Sequence, residues 1–295
     1  MARIIATLDE ISGAYGAAFV DLWGCLHNGY APFPAAVAAL ERFRDRGGII
    51  VLLTNSPRPR PSVIRQLDKI GVPRDLYRDI AASGDACQVA LASGEVGYRV
   101  YHLGPERDRG FFRDLPAEVL EGREIELVPL DQAEGIVCTG LFDDDTETPD
   151  DYRETLLYAK AKGLKLLCTN PDQMVDKGDR RIYCAGAIAR AYEAMGGISL
   201  YYGKPFPAIF DLARQRLNAI APVPDSRILV IGDGINTDMR GALGEDLDAL
   251  FITGGLAAKE TGTGPAESAQ PDPARLSAFL KSARLDPAFA IGHLR

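Results

Sequence analysis

The chain of 295 residues carries a formal net charge of −8 and contains five cysteines. At about 100–200 residues per domain, this length predicts two domains or one large domain. Hydrophobic residues make up 46% and charged residues 25% of the chain, which excludes collagen-like and fully disordered proteins. The acidic balance, without a basic block, argues against nucleic-acid binding, because that affinity depends on clustered Lys and Arg.

Membrane and secretory features are missing from the sequence pattern. No run of about 18 apolar residues occurs, so we expect no membrane-spanning segment. The first ten residues are too few and too polar for a secretory signal. The cysteines are odd in number and lack CxxC spacing, which favours reduced thiols over a disulfide framework or a zinc site. These features predict a cytoplasmic protein.

Short apolar runs alternate with amphipathic stretches in the first hundred residues, as is typical of βαβ units and a parallel sheet. Residues 17–20 and 49–53 are apolar throughout, as strands buried on both faces should be. Helices are predicted over residues 34–46, 61–70 and 85–92, and the first ends at a Gly-Gly pair.

The same alternation continues towards the C-terminus. Further strands are predicted over residues 99–103, 135–139, 164–169, 227–231 and 249–252. Further helices are predicted over residues 148–162, 186–195 and 274–281. Residues 259–273, rich in Gly, Thr, Pro, Ser and Ala, are predicted to form a surface loop.

Polar residues stand at the ends of three predicted strands, namely Asp21, Thr54 and Asp233. Ligands of doubly wound sheets bind beyond the carboxyl ends of the strands, so we expect these side chains to converge. Two neighbouring carboxylates repel unless a cation lies between them, and Mg²⁺ prefers one or two carboxylates with waters and a phosphate oxygen. Thr54 could donate to a phosphate and Lys204 could offset its charge. Together these residues predict Mg²⁺-dependent phosphoryl transfer to an aspartate.

Four stretches resemble, in the same order, the motifs of the haloacid dehalogenase superfamily. They are DLWGCL at 21–26, Thr54-Asn55, Gly203-Lys204-Pro205 and GDGINTD at 232–238. The resemblance is greatest to the class IIA branch, which includes p-nitrophenyl phosphatases and pyridoxal phosphate phosphatases.

The resemblance implies an α/β fold with two parts. A doubly wound parallel core would comprise residues 1–94 and 199–295, and an inserted α/β cap domain would comprise residues 95–198. The substrate would be a small phosphorylated metabolite, with neither a nucleic acid nor a membrane as partner. Association of two copies through the caps, giving a homodimer, is compatible with this branch.

The resemblance also assigns roles in phosphoryl transfer. Asp21 would attack phosphorus and form an aspartyl-phosphate. Thr54 and Lys204 would bind the transferring phosphoryl group, and Asn55 would add a contact from its backbone or side chain.

The same resemblance implies a Mg²⁺ site. The Asp21 carboxylate, the main-chain carbonyl of Trp23 and the Asp233 carboxylate would hold the ion. Asp238 would support this metal shell or Lys204.

The sequence departs from the family at Trp23. In the phosphatases of this superfamily, the residue two after the nucleophile is an aspartate that protonates the leaving oxygen. Indole has no proton to give at neutral pH, and a positioned general acid contributes about 10²–10⁴-fold. The leaving group could need little protonation, His27 could supply the proton, or the protein could be a weak phosphatase kept for binding. Because the nucleophile Asp21 is retained, we favour a phosphatase of reduced or specialised power.

Two other function classes compete with this interpretation. A dinucleotide-binding dehydrogenase is disfavoured, because Thr237 stands where the GxGxxG fingerprint requires its third glycine. The second alternative is a non-catalytic phospholigand-binding protein on the same fold. The missing acid at Trp23 favours this alternative, and the retained nucleophile Asp21 opposes it.

Substrate contacts are predicted in the middle of the chain. By the resemblance, Asn170 and Asp172 are candidates to bind the substrate. The acidic run 143–145 suits a solvated loop ahead of a helix, although its position after a predicted cap strand would let it face the site and disfavour very acidic substrates.

Overall fold

Two parallel β-sheets organise the protein, and the computed structural model describes residues 2–177 and 180–295. Within this part of the chain, seven strands form the larger sheet, five form the smaller sheet and two form a hairpin. In chain order the strands are β1 (Arg3–Ile4), β2 (Ala17–Val20), β3 (Ile49–Thr54), β4 (Asp79–Ala82), β5 (Arg99–Leu103), β6 (Glu126–Leu127), β7 (Gly135–Cys138), β8 (Lys165–Cys168), β9 (Met174–Lys177), β10 (Arg180–Tyr183), β11 (Ile198–Tyr201), β12 (Ile228–Gly232), β13 (Asp248–Ile252) and β14 (Phe289–Ile291).

Helices connect most of these strands. In chain order they are α1 (Asp9–Ser12), α2 (Pro34–Asp45), α3 (Arg60–Ile70), α4 (Ser83–Ala92), α5 (Ala117–Leu120), α6 (Arg153–Ala161), α7 (Ala185–Ala194), α8 (Pro207–Asn218), α9 (Arg240–Gly244), α10 (Ala258–Thr261) and α11 (Pro273–Ala283). Among the described residues, no helix combines the length and the apolar character needed to cross a membrane.

The larger sheet has the order β1-β14-β13-β12-β2-β3-β4, and all neighbouring strands are parallel. The chain proceeds outward from β2 on one side and from β12 on the other, so the strand order reverses between these two strands. Every residue of β2 and β12 is buried, as expected for central parallel strands. The predicted doubly wound parallel sheet is confirmed, and its switch point lies where Asp21 and Asp233 leave the sheet.

Helices cover both faces of the larger sheet. Val20 of β2 faces one apolar core, which also contains Leu40 of α2. Phe19, the preceding residue, faces the opposite core, which contains Phe210 of α8 and Leu280 of α11. Because successive strand residues point to opposite faces, the apolar run of β2 contributes to both cores.

The smaller sheet is also fully parallel, with the order β11-β8-β7-β5-β6. Leu91 of α4 packs with Val100 and Leu167 on one face, and α4 directly follows β4 of the larger sheet. Leu156 of α6 and Ile188 of α7 belong to the core on the other face. The antiparallel pair β9–β10 lies outside both parallel sheets.

Three sequence expectations differ from the structure. The expected boundary between residues 198 and 199 falls inside β11, which pairs with β8, because the chain returns to the smaller sheet after α7 before it crosses to α8. The predicted helix 148–162 begins as a 3₁₀ turn (Pro149–Tyr152), capped by reciprocal hydrogen bonds between Thr148 and Asp151. The predicted loop 259–273 overlaps the short helix α10.

Candidate active site

A buried lysine joins two of the predicted carboxylates at the carboxyl end of the larger sheet. Lys204 Nζ donates hydrogen bonds to Asp21 Oδ1 and Asp238 Oδ1, both at 2.7 Å, and to the Leu53 carbonyl at 3.1 Å. The side chain is 2% exposed, so its three ammonium protons all have partners inside the protein. Burial opposes the charged form, but the carboxylates outweigh it and raise the pKa of Lys204, which stays charged.

Asn55 holds the backbone of Lys204 in place. Its Oδ1 accepts the Lys204 N–H at 2.7 Å, and its Nδ2 donates to the Lys204 carbonyl at 3.1 Å and to Asp172 Oδ1 at 2.9 Å. A glycine is required at Gly203, because a Cβ there would lie 2.6 Å from Asn55 Oδ1. The Asn55 amide is therefore committed to protein partners, which leaves the predicted phosphate contact to its backbone.

Asp21 and Asp233 form the centre that the predicted cation would occupy. One carboxylate oxygen of each, together with Cys25 Sγ, lies within 4.8 Å of the others. Burial and the charge of Asp238 raise the pKa of Asp21, and burial and the charges of Asp21 and Asp238 raise the pKa of Asp233. A divalent cation between Asp21 and Asp233 would relieve that cost. Burial also raises the pKa of the Cys25 thiol, so this sulfur stays protonated. The two buried carboxylates are hard oxygen donors, and they fit Mg²⁺.

Asp233 is clamped between two loops. The Leu256 N–H donates to Asp233 Oδ2 at 3.0 Å. A Cβ at Gly255 would lie 2.0 Å from this oxygen, and a Cβ at Gly24 would lie 2.2 Å from it. The two glycines let the backbone approach the carboxylate from both sides, which fixes its rotation.

Thr54 ends β3 and lines the same cavity as Asp21. Its hydroxyl oxygen accepts the Ser56 N–H at 3.2 Å. Because that bond uses a lone pair, the hydroxyl proton can be donated to a ligand.

Asn170 and Asp172 follow β8 and line the cavity from the side of the smaller sheet. Asn170 Oδ1 accepts the Asp172 N–H at 3.0 Å, an Asx turn that shapes its own loop. The structure therefore brings both residues to the cavity, with Asn170 holding the loop and Asp172 bonded to Asn55.

Trp23 lies at the cavity wall, packed edge-to-face on His27 with ring centroids 5.3 Å apart. His27 is fully buried, accepts the Gly29 N–H on Nδ1 at 3.0 Å and does not line the cavity among the described residues. Burial lowers the pKa of His27 to about 4, so the ring is neutral at pH 7. The structure therefore argues against His27 as the replacement acid.

The cavity has a volume of about 800 Å³ and lies between the two sheets. The wall on the side of the larger sheet includes Asp21, Trp23, Thr54 and Asp233. The wall on the side of the smaller sheet includes Asp172. A small phosphorylated molecule fits this volume, which lies in the range usual for small-molecule sites.

Sequence reasoning missed the arginines of this cavity. Arg58 and Arg107 both line it; Arg58 Nε donates to Asp108 Oδ1 at 3.2 Å, and Arg107 is paired with Asp144. Asp144 of the acidic run does face the cavity, but Arg107 offsets its charge. The sequence did offer a signal for Arg58, which lies four residues after Thr54 in the loop that follows β3.

Comparisons with known proteins agree with this geometry. Two family models, both described as haloacid dehalogenase-like hydrolase, match residues 18–117 and 74–244. A solved hydrolase of the haloacid dehalogenase-like family from Brucella suis is 39% identical, with a TM-score of 0.85 over 99% of this chain and 100% of that one.

Two further relatives carry activity names. The acid sugar phosphatase of Staphylococcus saprophyticus is 24% identical over 83% of this chain and 89% of its own. The solved p-nitrophenyl phosphatase of Archaeoglobus fulgidus is 21% identical, with a TM-score of 0.67 over 95% and 96% of the two chains. The second family model spans more than half of this chain. The chain therefore belongs to the haloacid dehalogenase-like hydrolases, in their class IIA branch.

Proposed function

We propose that this haloacid dehalogenase-superfamily phosphatase hydrolyses small phosphomonoesters with Mg²⁺, through a phosphorylated Asp21. One observation carries the proposal: a buried lysine bridges Asp21 and Asp238 at 2.7 Å, and both carboxylates line the same cavity as Asp233. A structural carboxylate needs neither this charge nor this cavity, whereas a nucleophile that meets a phosphate needs both.

The chain's own residues supply orientation and charge. Lys204 holds Asp21 Oδ1 and so fixes the carboxylate, while Oδ2 would attack phosphorus. The Thr54 hydroxyl would donate to a phosphoryl oxygen, and the Lys204 charge, held against Asp21, would offset the negative charge that grows during transfer. Asn55 would hold the backbone of Lys204 in position through its hydrogen bonds to the Lys204 N–H and carbonyl.

Asp21, Asp233 and the Trp23 carbonyl would hold the Mg²⁺ ion. The ion would neutralise phosphate charge and let the two carboxylates stay ionised side by side. The clamp on Asp233 from Gly24, Gly255 and Leu256 supports this role, because a ligand of fixed rotation loses little entropy on binding the ion.

The smaller sheet would serve as the inserted cap. Its loops line the cavity through Asp172 and Asp144, and a cavity of about 800 Å³ would exclude bulky substrates. Trp23 itself would supply no proton, so without another acid the site would favour leaving groups that need little protonation, such as aryl or acyl phosphates.

The test is phosphate release from a panel of small phosphates, with and without Mg²⁺. Wild type should release phosphate only with the cation, and Asp21→Asn should lower the rate by more than about 10³-fold. Glu267→Gln, which changes another carboxylate of the cavity wall, is the matched control and should keep the activity. Equal release by wild type and Asp21→Asn would reject the nucleophile.

Trp23 supports a second candidate, a phospholigand-binding protein without turnover. Calorimetric titration with inorganic phosphate and Mg²⁺ separates the two. Tight phosphate binding with no release from any substrate would favour the binding protein.

A further inference from the structure

Since Trp23 has no acidic proton and His27 is closed off from the cavity, the protonation of a leaving oxygen needs another group. The group must face the cavity and hold a proton near neutral pH, as a carboxyl group removed from water can do. Apart from Asp21, Asp233 and the Lys204 partner Asp238, the described cavity wall offers five carboxylates: Asp108, Asp144, Asp172, Asp176 and Glu267.

Glu267 is exposed to solvent, and three of the other four carboxylates are bound to arginine. Asp176 receives Arg181 Nε at 2.7 Å, Asp144 pairs with Arg107, and Asp108 receives Arg58 Nε at 3.2 Å. An adjacent guanidinium favours the ionised form. Burial raises the pKa of Asp108 despite Arg58, but Asp108 Oδ1 is held by the Arg58 guanidinium.

Asp172 has a different environment. Its Oδ1 accepts a hydrogen bond from the neutral amide of Asn55 at 2.9 Å. Asn55 follows Thr54 directly and is bonded to the backbone of Lys204, so Asp172 sits beside the residues that would bind the phosphoryl group. With Oδ1 used as an acceptor, Oδ2 is the atom that would carry a proton.

The charges around Asp172 come from both sheets. Burial raises the pKa of Asp172, Lys204 and the Asn55 amide oppose this rise, and Asp238 adds to it. Asp172 in turn adds to the raised pKa of the Cys184 thiol. The net effect is a carboxyl group that keeps its proton to a higher pH than a solvated aspartic acid does.

We propose that Asp172 replaces the missing aspartate as the general acid and base of the reaction, an inference that rests on the proposed phosphatase chemistry. Asp21 Oδ2 forms a bond to phosphorus as the bond from phosphorus to the leaving oxygen breaks. The Asp172 proton passes to that oxygen, which releases the alcohol and leaves Asp172 ionised. Asp172 then takes a proton from the water whose oxygen bonds to phosphorus. The bond from phosphorus to Asp21 Oδ2 breaks, which frees phosphate, restores the Asp21 carboxylate and returns the proton to Asp172.

The Asp172→Asn variant separates catalysis from structure. The new amide oxygen can still accept the Asn55 hydrogen bond, so the variant should fold. We expect kcat/KM for an alkyl phosphate to fall by about 10²–10³-fold, and that for an aryl phosphate with an acidic phenol to change less than about threefold. Because dephosphorylation also loses its base, the aryl substrate should give a burst of phenol equal to the enzyme concentration.

Asp176→Asn, the change of a neighbouring cavity carboxylate, is the control and should leave both substrates unaffected. Adding Trp23→Asp to Asp172→Asn should restore alkyl turnover, which a merely structural role of Asp172 would not permit. Equal losses on the two substrates, or no loss on the alkyl phosphate, would overturn the inference while leaving the phosphatase intact. A wild type that hydrolyses neither substrate would overturn the proposed function and this inference with it.

Discussion

Lys204 balances the charge of the site at the scale of single residues. It is buried between Asp21 and Asp238, and its three protons are all bonded. Removing one partner of a buried ionic group costs more than the group contributes, because the remaining charges are stranded away from water. Both stability and catalysis should therefore depend on this side chain.

The Lys204→Met variant should lose about 3–5 kcal/mol in free energy of unfolding, together with its phosphatase activity. Lys281→Met, at an exposed position of α11, should change stability by less than about 0.5 kcal/mol. Urea denaturation measures both. Adding Asp238→Asn to Lys204→Met should recover part of the loss by removing one stranded charge. Additive losses in the double variant would contradict this explanation.

The buried His27 side chain should make the stability of the protein depend on pH. Its pKa is about 4 in the folded protein and about 6.5 when solvated. The unfolded chain thus binds the proton more tightly, so stability is complete above pH 6.5 and falls as pH drops towards 4. Between pH 8 and pH 5 this residue alone should cost about 2 kcal/mol.

His27→Gln should show a correspondingly smaller loss of stability between pH 8 and pH 5, measured by urea denaturation at each pH. The pH profile of phosphate release should stay unchanged, because His27 does not face the cavity. A shifted activity profile with an unchanged stability profile would count against this account.

At the scale of elements, the loops that follow parallel strands place the site. Asp233 follows β12, and the loop after β13 brings Gly255 and Leu256 against it. Groups that orient a metal ligand typically change metal affinity by 10–100-fold when altered.

Gly255→Ala should therefore raise the Mg²⁺ concentration for half-maximal activation by at least about tenfold, because the added Cβ would displace the Asp233 carboxylate. Gly244→Ala is the matched control, since a Cβ there meets nothing within 4 Å. Mg²⁺ titrations of activity and of thermal stability would measure both. Unchanged Mg²⁺ dependence in Gly255→Ala would refute the clamp.

Local sequence predicted the strand ends but not the contacts between loops. The apolar runs before Asp21, Thr54 and Asp233 identify buried parallel strands, so their convergence could be inferred. The hydrogen bond from Asn55 to Asp172 spans 117 positions, and no local pattern reveals it. The β9–β10 hairpin escaped prediction because its second strand is mainly exposed and carries no alternating apolar pattern.

At the scale of the whole molecule, the two parallel sheets border a cavity whose floor carries repelling carboxylates. Burial and repulsion raise the pKa of Asp21 and Asp233, which destabilises the ion-free protein at neutral pH. A ligand that binds only the folded state stabilises it by about 2.7 kcal/mol at 100 times its dissociation constant.

Mg²⁺ at 100 times its dissociation constant should therefore raise the free energy of unfolding of the wild type by about 2.7 kcal/mol. Urea denaturation at matched ionic strength measures this difference. Asp233→Asn should lose the Mg²⁺ effect and should exceed the ion-free wild type in stability, because it removes one of the repelling charges. A Mg²⁺ effect of equal size in both proteins would place the ion elsewhere.

The central claim is that Asp21 carries the phosphoryl group during turnover. Acid quenching during turnover of an aryl phosphate, followed by borohydride reduction, would convert a phosphorylated aspartate to homoserine for detection by peptide mass spectrometry. We predict homoserine at position 21 in the wild type and its absence in Asp21→Asn. Phosphate release by the wild type with no modification at position 21, or with modification at another carboxylate, would contradict the account.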